Sequence, residues 1–222
     1  MLDWHALDTV LLDMDGTLLD LHFDNYFWHE YLPDKWGENR GLDPLTARRQ
    51  LLPRLQSREG TLLWYCLDHW SVELQVDIMS LKANLEHLIC LRPEAAEFLD
   101  GLRRLHKQII LVTNSHEALL EMKLARTRIG DAFDAIVCSH RLGLPKEDSR
   151  FWELLQRRHP FDPGRTLLID DNLDVLRSAA DFGIRQLLTI EQPDSQKPPR
   201  SPKEFPAVQS FLRLLVVDGT GA

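Results

Sequence analysis

The chain has 222 residues, of which 44% are hydrophobic and 27% charged, and its formal net charge is −8. This length fits one domain with a large insertion, or a core with a small second domain. The acidic balance disfavours nucleic-acid and anionic-membrane partners, which need a basic surface, but it leaves room for a small phosphorylated substrate. The sequence has no apolar run of membrane-spanning length and no N-terminal signal-peptide pattern.

The three cysteines, Cys66, Cys90 and Cys138, are widely spaced and form no CxxC pair. An odd count at such spacing argues against a disulfide framework and against a zinc site. We therefore expect reduced thiols and a cytoplasmic protein.

Five short apolar runs predict the strands of one sheet, at residues 9–12, 109–112, 135–138, 166–169 and 186–190. Continuous apolar runs are typical of parallel strands that are buried on both faces. Helical patterns alternate with the last four strands, at residues 93–107, 115–129, 149–158 and 172–182. Together they predict a doubly wound α/β fold, in which ligands bind beyond the carboxyl ends of the strands.

Residues 20–90 do not follow this alternation. They have helical spacing and few β-branched runs, and they contain four of the six tryptophans. We expect a helical cap over residues 20–90, inserted into an α/β core formed by residues 1–19 and 91–222. Within the core, residues 192–206 are rich in proline and predict a linker, and residues 207–216 predict a short helix that packs back onto it.

Acidic residues follow the first predicted strand, where Asp13 and Asp15 lie two positions apart and Gly16 permits a sharp turn. Paired carboxylates are unfavourable unless a cation lies between them, and oxygen ligands suit a hard ion such as Mg²⁺. An ordinary turn after a strand would give the same local pattern.

The other strand ends carry matching chemistry. Thr113 and Asn114 precede a predicted helix and suit a phosphate, Lys146 follows the third strand, and Asp170 with Asp171 follows the fourth. Helix caps and a solvated lysine would explain each of these singly. Their joint occurrence, in this order and at these strand ends, favours a phosphate and metal site.

Four motifs in chain order resemble the signature motifs of the haloacid dehalogenase superfamily: Asp13-x-Asp15-Gly16-Thr17, Thr113-Asn114, Lys146 and Asp170-Asp171. The resemblance covers about residues 8–19 and 91–190, and the helical insertion is similar to the C1-type cap of that superfamily. It implies an aspartyl-phosphate mechanism in which Asp13 is the nucleophile and Asp15 the general acid and base. It also implies a Mg²⁺ ion held by Asp13, by Asp171 and by the backbone carbonyl of Asp15. The phosphoryl oxygens would be bound by Thr113, Asn114 and Lys146.

Two departures from the superfamily pattern affect these assignments. Lys146 is followed by Glu147, Asp148 and Ser149 instead of Pro-Asp-Pro, and the last motif reads Asp-Asp-Asn instead of Gly-Asp-Ser. Either Asp170 or Asp171 can therefore be the main metal ligand. We favour Asp171, because it aligns with the aspartate that follows the usual glycine.

Two segments of the cap, residues 21–28 and 60–70, resemble the cap of bacterial GMP/IMP 5′-nucleotidases. This implies a purine nucleoside monophosphate as the substrate, with Asp24 and Asn25 as candidate readers of the base edge. The motifs also fit a sugar-phosphate phosphatase or a β-phosphoglucomutase-like mutase. A non-catalytic phosphate-binding protein is disfavoured, because it would not need the complete set of motif residues.

Overall fold

The computed structural model describes residues 2–216; Met1 and residues 217–222, which the sequence assigns to the core, lie outside the described residues. Six parallel strands form one sheet in the order β3-β2-β1-β4-β5-β6. Their bounds are β1 Thr9–Leu12, β2 Gln108–Thr113, β3 Ala135–Cys138, β4 Thr166–Ile169, β5 Gln186–Ile190 and β6 Ala207–Val208. The doubly wound α/β fold is confirmed, and all five predicted strands are present.

Both faces of the sheet are buried, which explains why its strands are apolar at consecutive positions. On the central strand, Val10 and Leu12 belong to one hydrophobic cluster, whereas Leu11 belongs to a second cluster on the opposite face. The first cluster continues into the helices that precede residue 90, and the second contains Phe151 and Trp152. A strand that packs on both sides has no polar face, so it reads as a continuous run.

The four helices predicted between the strands are present, one with the predicted bounds (149–158) and three with shorter ends, and a short additional helix follows β3. The helices that flank the sheet are α6 Ala95–Arg104, α7 Glu117–Thr127, α8 Ser139–Leu142, α9 Ser149–Arg158, α10 Leu173–Phe182 and α11 Phe211–Leu214. The side chains of Asp148 and Asn172 accept hydrogen bonds from the first turns of α9 and α10. Asn172 lies in the loop that leaves β4, and Asp148 lies in the loop between α8 and α9, so each cap fixes where its loop turns into a helix.

The segment predicted as a cap is helical in the structure. It contains α1 His22–Tyr26, a π-helical turn Phe27–Tyr31, α2 Leu32–Glu38, α3 Pro44–Gln56, α4 Leu67–Leu74 and α5 Ile78–Ala83. The chain leaves and re-enters the core at adjacent points, because the backbone N–H of Asp20 donates to the Cys90 carbonyl and the backbone N–H of Arg92 donates to the Leu18 carbonyl. This adjacency suits an inserted unit, and the domain division at residues 20 and 90 stays a prediction.

The predicted helix over residues 207–216 is wrong in its first half. Ala207 and Val208 form the edge strand β6 beside Thr189 and Ile190, and the helix α11 begins at Phe211. These two residues extend the sheet because β5 is available as a neighbour. The pairing joins residues that are distant in the sequence, so the local pattern does not show it. Among the described helices, none is long and apolar enough to cross a membrane.

Candidate active site

The acidic and polar residues predicted from the strand ends meet at one edge of the sheet. Asp13 follows β1, Thr113 ends β2, Asp170 follows β4, and Lys146 lies in the loop between α8 and α9. Because β1 pairs with both β2 and β4, their carboxyl ends are neighbours. All four of these residues are buried, as is Asn114.

Lys146 holds the centre of this group. Its ammonium lies 2.5 Å from Asp13 Oδ1 and 2.7 Å from Asp170 Oδ2, and it also donates to the Val112 carbonyl at 3.1 Å. Burial alone would lower the pKa of Lys146, but the two carboxylates outweigh burial and raise it. Lys146 therefore stays positively charged at neutral pH.

Burial dominates the ionisation of Asp13. It raises the pKa of Asp13 to about 7, with a further increase from Asp170 and an opposing decrease from Lys146. A carboxylate in this position is poised between its two protonation states near neutral pH. A second nearby cation would favour the ionised form.

Asp13, Asp170 and Asp171 can each offer one carboxylate oxygen, and these three atoms lie within 4.8 Å of one another. Burial and the two neighbouring carboxylates raise the pKa of Asp171 well above its usual value. Three carboxylates against the one ammonium of Lys146 leave a formal excess of two negative charges. This oxygen-rich, anionic cluster fits a hard divalent cation.

Asp170 and Asp171 differ in how the protein holds them. Asp170 accepts from Lys146 and, at 2.9 Å, from the backbone N–H of Asn172. No donor within residues 2–216 contacts the Asp171 carboxylate, although the guanidinium of Arg200 donates to its backbone carbonyl. The Asp171 side chain is thus the less constrained of the two.

Gly16 lies close to the Asp171 carboxylate. Its φ is +81°, and a Cβ built on it would lie 2.7 Å from both Cγ and Oδ2 of Asp171. The sequence predicts a sharp turn here because glycine adopts positive φ without steric cost. The structure adds a steric reason, since only a residue without a side chain leaves room for Asp171.

Asp15 lies apart from the three-carboxylate cluster. Its Oδ1 accepts from the ammonium of Lys123 at 2.6 Å. Burial raises the pKa of Asp15 to about 6, while Lys123 lowers it and Asp24 and Asp13 raise it. A carboxyl group with such a pKa can donate and accept protons near neutral pH.

The loop that carries Lys146 is held from both sides. Asn114 accepts from the Lys146 backbone N–H at 3.0 Å and donates to Glu147 at 2.9 Å. Glu147 also accepts from the Tyr65 hydroxyl of the cap at 2.6 Å. Glu147 occupies the position of the usual proline, so this departure from the family pattern supplies a contact between cap and core.

A cavity of about 370 Å³ opens over these groups, lined by core and cap residues together. Its cap side includes Asn25, Trp28, Glu59, Gly60, Trp64 and Tyr65. The rings of Trp28 and Trp64 stack with centroids 6.5 Å apart. The size suits a small ligand, with a charged end at the strand termini and an aromatic end under the cap.

Asp24 lines the cavity, but its carboxylate is not free to read a base. Its Oδ1 accepts from Lys82 at 2.7 Å and its Oδ2 from Lys123 at 2.6 Å, so both oxygens are engaged by buried cations. The Asn25 amide donates to Asp194 at 2.7 Å. The structure does not support the predicted role of Asp24, and that of Asn25 stays a prediction.

Sequence reasoning missed three residues at this site: Lys123, Glu147 and Arg200. Lys123 lies on the buried side of α7, three and four positions after Leu120 and Leu119, and this apolar spacing was a usable signal. Arg200 lies in the segment predicted as a linker, but its side chain lines the cavity. No local pattern marks Arg200 or Glu147.

The haloacid dehalogenase-like hydrolase family matches residues 7–183 of the chain. The GMP/IMP nucleotidase YrfG of Escherichia coli is 40% identical over 212 residues, covering 96% of each chain. The chain belongs to the haloacid dehalogenase-like hydrolases.

Solved structures share the fold. A HAD phosphatase from Thermococcus onnurineus has a TM-score of 0.78 at 19% identity, covering 94% of this chain and 96% of its own. CbbY from Rhodobacter sphaeroides, solved in complex with phosphate, has a TM-score of 0.63 at 18% identity, covering 94% and 96%. These structural similarities support the α/β architecture with its inserted helices. The sequence identities are too low to indicate the substrate.

Gly16→Ala should destabilise the protein more than Gly143→Ala. Both glycines have similar positive φ, +81° and +73°, but a Cβ at Gly143 meets no atom within 4 Å. We expect Gly143→Ala to cost roughly 1 kcal/mol from backbone strain, and Gly16→Ala to cost about 2 kcal/mol or more, because it also displaces Asp171. Urea denaturation of both variants measures the difference, and equal losses would contradict the steric role of Gly16.

Proposed function

We propose that the protein is a Mg²⁺-dependent phosphatase that hydrolyses purine nucleoside 5′-monophosphates, with GMP and IMP preferred. The identity of 40% over 96% of both chains with a GMP/IMP nucleotidase carries this proposal. The cavity supports it, because a charged end suits a phosphate and an aromatic end suits a base. The negative net charge of −8 favours a small substrate over nucleic acid or a membrane surface, and we place the activity in the cytoplasm.

Asp13 acts as the nucleophile. Its carboxylate attacks phosphorus, the ester P–O bond breaks, and an aspartyl-phosphate forms. Lys146, 2.5 Å away, favours the ionised form of Asp13 and neutralises charge on the phosphoryl oxygens as they approach. Thr113 and the backbone N–H of Asn114 complete the phosphate site before α7, since the Asn114 side chain is engaged by Lys146 and Glu147.

Asp15 moves the protons. It donates one to the leaving oxygen of the nucleoside, and then takes one from the water that attacks the aspartyl-phosphate and releases inorganic phosphate. The second step restores Asp13 and returns the proton to Asp15, so the cycle balances. A pKa of about 6 suits both roles, because neither protonation state is costly near neutral pH.

Asp13, Asp171 and the backbone carbonyl of Asp15 would hold a Mg²⁺ ion, which would supply positive charge for the phosphate and the nucleophile. Asp171 is preferred over Asp170, since both oxygens of Asp170 already accept from protein donors, Lys146 at 2.7 Å and the Asn172 backbone N–H at 2.9 Å. Asp170 instead orients Lys146. This division of roles explains why two consecutive aspartates follow β4.

The base lies against the aromatic side of the cavity, beside Trp28 and Trp64. Guanine and hypoxanthine present a ring N–H donor next to a carbonyl acceptor, whereas adenine presents the reverse pair. Glu59 can accept from that N–H, and the backbone N–H of Gly60 can donate to the carbonyl; both residues line the cavity. Adenine would leave these groups unpaired, which disfavours AMP.

Asp13→Asn should abolish phosphate release while leaving the fold intact. The amide is a poor nucleophile, so we expect a loss of kcat on the order of 10³-fold or more. Phosphate release and circular dichroism measure activity and fold, and mass spectrometry excludes deamidation back to aspartate. A folded Asp13→Asn variant that turns over at the wild-type rate would refute the nucleophile.

Removal of divalent cations with EDTA should stop the reaction, and Mg²⁺ should restore it. The Mg²⁺ concentration needed for half-maximal activity should rise more in Asp171→Asn than in Asp170→Asn, because the Asp171 carboxylate has no competing protein donor within residues 2–216. Asp170→Asn should instead lower kcat through Lys146. Full activity in metal-free buffer would refute the metal requirement, and the opposite order would make Asp170 the ligand.

GMP and IMP should be better substrates than AMP, CMP and glucose 6-phosphate. An unpaired polar group at the base edge costs about 1–3 kcal/mol, so kcat/KM should favour GMP over AMP by roughly 5- to 150-fold. The measurement is kcat/KM across a panel of nucleoside monophosphates and sugar phosphates.

The variant Glu59→Ala tests the origin of that preference. It should bring the GMP and AMP values closer together, mainly by a loss on GMP. A sugar phosphate at the top of the panel would favour the phosphatase or mutase alternatives and overturn the nucleotidase proposal. Equal kcat/KM values for GMP and AMP in the wild type would also overturn the nucleotidase proposal.

A further inference from the structure

Four charged side chains form a continuous chain from the active site into the cap: Asp15, Lys123, Asp24 and Lys82. The ammonium of Lys123 lies 2.6 Å from Asp15 Oδ1 and 2.6 Å from Asp24 Oδ2. The ammonium of Lys82 lies 2.7 Å from Asp24 Oδ1. The signs alternate, so the four charges cancel formally. Asp15 and Lys123 belong to the core, whereas Asp24 and Lys82 belong to helices α1 and α5 of the cap.

The two lysines are almost completely removed from solvent. Lys123 is 1% exposed and Lys82 is 0% exposed. The ammonium of Lys82 also lies 4.7 Å from the ring centroid of Phe23 and 4.2 Å from that of Phe27. Aromatic rings and one carboxylate hold Lys82, whereas two carboxylates hold Lys123, whose ammonium also lies 5.3 Å from the ring centroid of Phe23.

Stability alone does not explain such a network. Buried ion pairs are often no more stabilising than well-packed apolar residues of the same volume. Leucines or methionines at positions 82 and 123 would extend the apolar faces of α5 and α7. Retaining charges there therefore points to a task that apolar residues cannot perform.

That task is visible at Asp15. Lys123 engages Oδ1, and no donor within residues 2–216 contacts Oδ2, although Asp15 lines the cavity. A carboxylate with one oxygen tied to a buried cation has a restricted rotamer, so its second oxygen has a defined direction. Lys123 is itself held by Asp24, which lies on the first cap helix after the point where the chain leaves the core.

We propose that Lys123 is a positioning residue that fixes the acid–base carboxyl of Asp15 and links its orientation to the seated cap through Asp24. This rests on the proposed phosphatase function, in which Asp15 protonates the leaving group. A displaced cap removes one of the two carboxylates that hold Lys123. The Asp15 carboxyl then loses its fixed orientation, so proton transfer is efficient only when the cap covers the substrate.

Lys123→Met and Lys82→Met are a matched pair. Both remove a buried ammonium that contacts Asp24, but only Lys123 also contacts Asp15. The substrates are GMP, whose alkoxide leaving group needs a proton, and p-nitrophenyl phosphate, whose leaving group does not. The thermal midpoint Tm, kcat and KM are measured for each variant with each substrate.

For Lys123→Met we expect kcat for GMP to fall on the order of 100-fold, with KM within about threefold of the wild type. Its loss on p-nitrophenyl phosphate should be clearly smaller, roughly tenfold or less, since protonation of the leaving group is not needed there. Lys82→Met should lower Tm by a comparable amount and keep kcat within about threefold for both substrates. If the two variants lose kcat equally, or if Lys123→Met loses equally on both substrates, the positioning role is wrong.

Lys123→Gln replaces Lys123→Met if the methionine variant does not fold, because its amide still packs and donates without a charge. It should show the same ordering of the two substrates with a smaller loss. The proposed function is tested separately by wild type and Asp15→Asn. An inactive wild type, or an active Asp15→Asn variant, refutes the function; with an active wild type and an inactive Asp15→Asn, the lysine pair alone decides the positioning role.

Discussion

The buried ammonium of Lys146 is the interaction on which the active site depends. It joins Asp13 after β1, Asp170 after β4 and a backbone carbonyl of β2, and so connects three neighbouring strands at their carboxyl ends. Without it, two buried carboxylates would face each other uncompensated, and removing one partner of a buried pair costs about 3–5 kcal/mol. One ammonium does not neutralise the three carboxylates of the cluster. The remaining negative charge favours a divalent cation in addition to the lysine.

The same loop connects the charged cluster to the cap. Glu147, next to Lys146, accepts hydrogen bonds from Asn114 of the core and Tyr65 of the cap. A second connection runs through Lys123 and Asp24. Both links are polar and both border the cavity, so the position of the cap and the geometry of the reacting groups depend on each other. Such coupling suits a hydrolase that must exclude bulk water until its substrate is bound.

Much of the core could be predicted because its signals are local. Residues 9–12, 135–138, 166–169 and 186–190 are strands with the predicted bounds, and β2 extends one residue further at each end. Apolar runs of this kind follow from burial on both faces of a parallel sheet. The position of the site also follows, because parallel strands direct their carboxyl ends to one edge and Asp13, Thr113 and Asp170 come directly at those ends. The edge strand β6 could not be predicted, since two residues adopt a strand only when a neighbour is there to pair with them.

The sequence by itself determined the class of fold, the edge of the sheet where the chemistry lies, and the main chemical groups present there, because each of these depends on residues close together in the chain. The tertiary structure decided which charges pair. Lys123 meets Asp24 across 99 positions, Lys146 meets Asp13 across 133, and Arg200 reaches the site from a segment that reads as a linker. The tertiary structure also pairs Asp24, a candidate for reading the base, with two lysines. Pairing of buried charges depends on distances between atoms from separate elements, and those distances exist only after the sheet and the cap have packed.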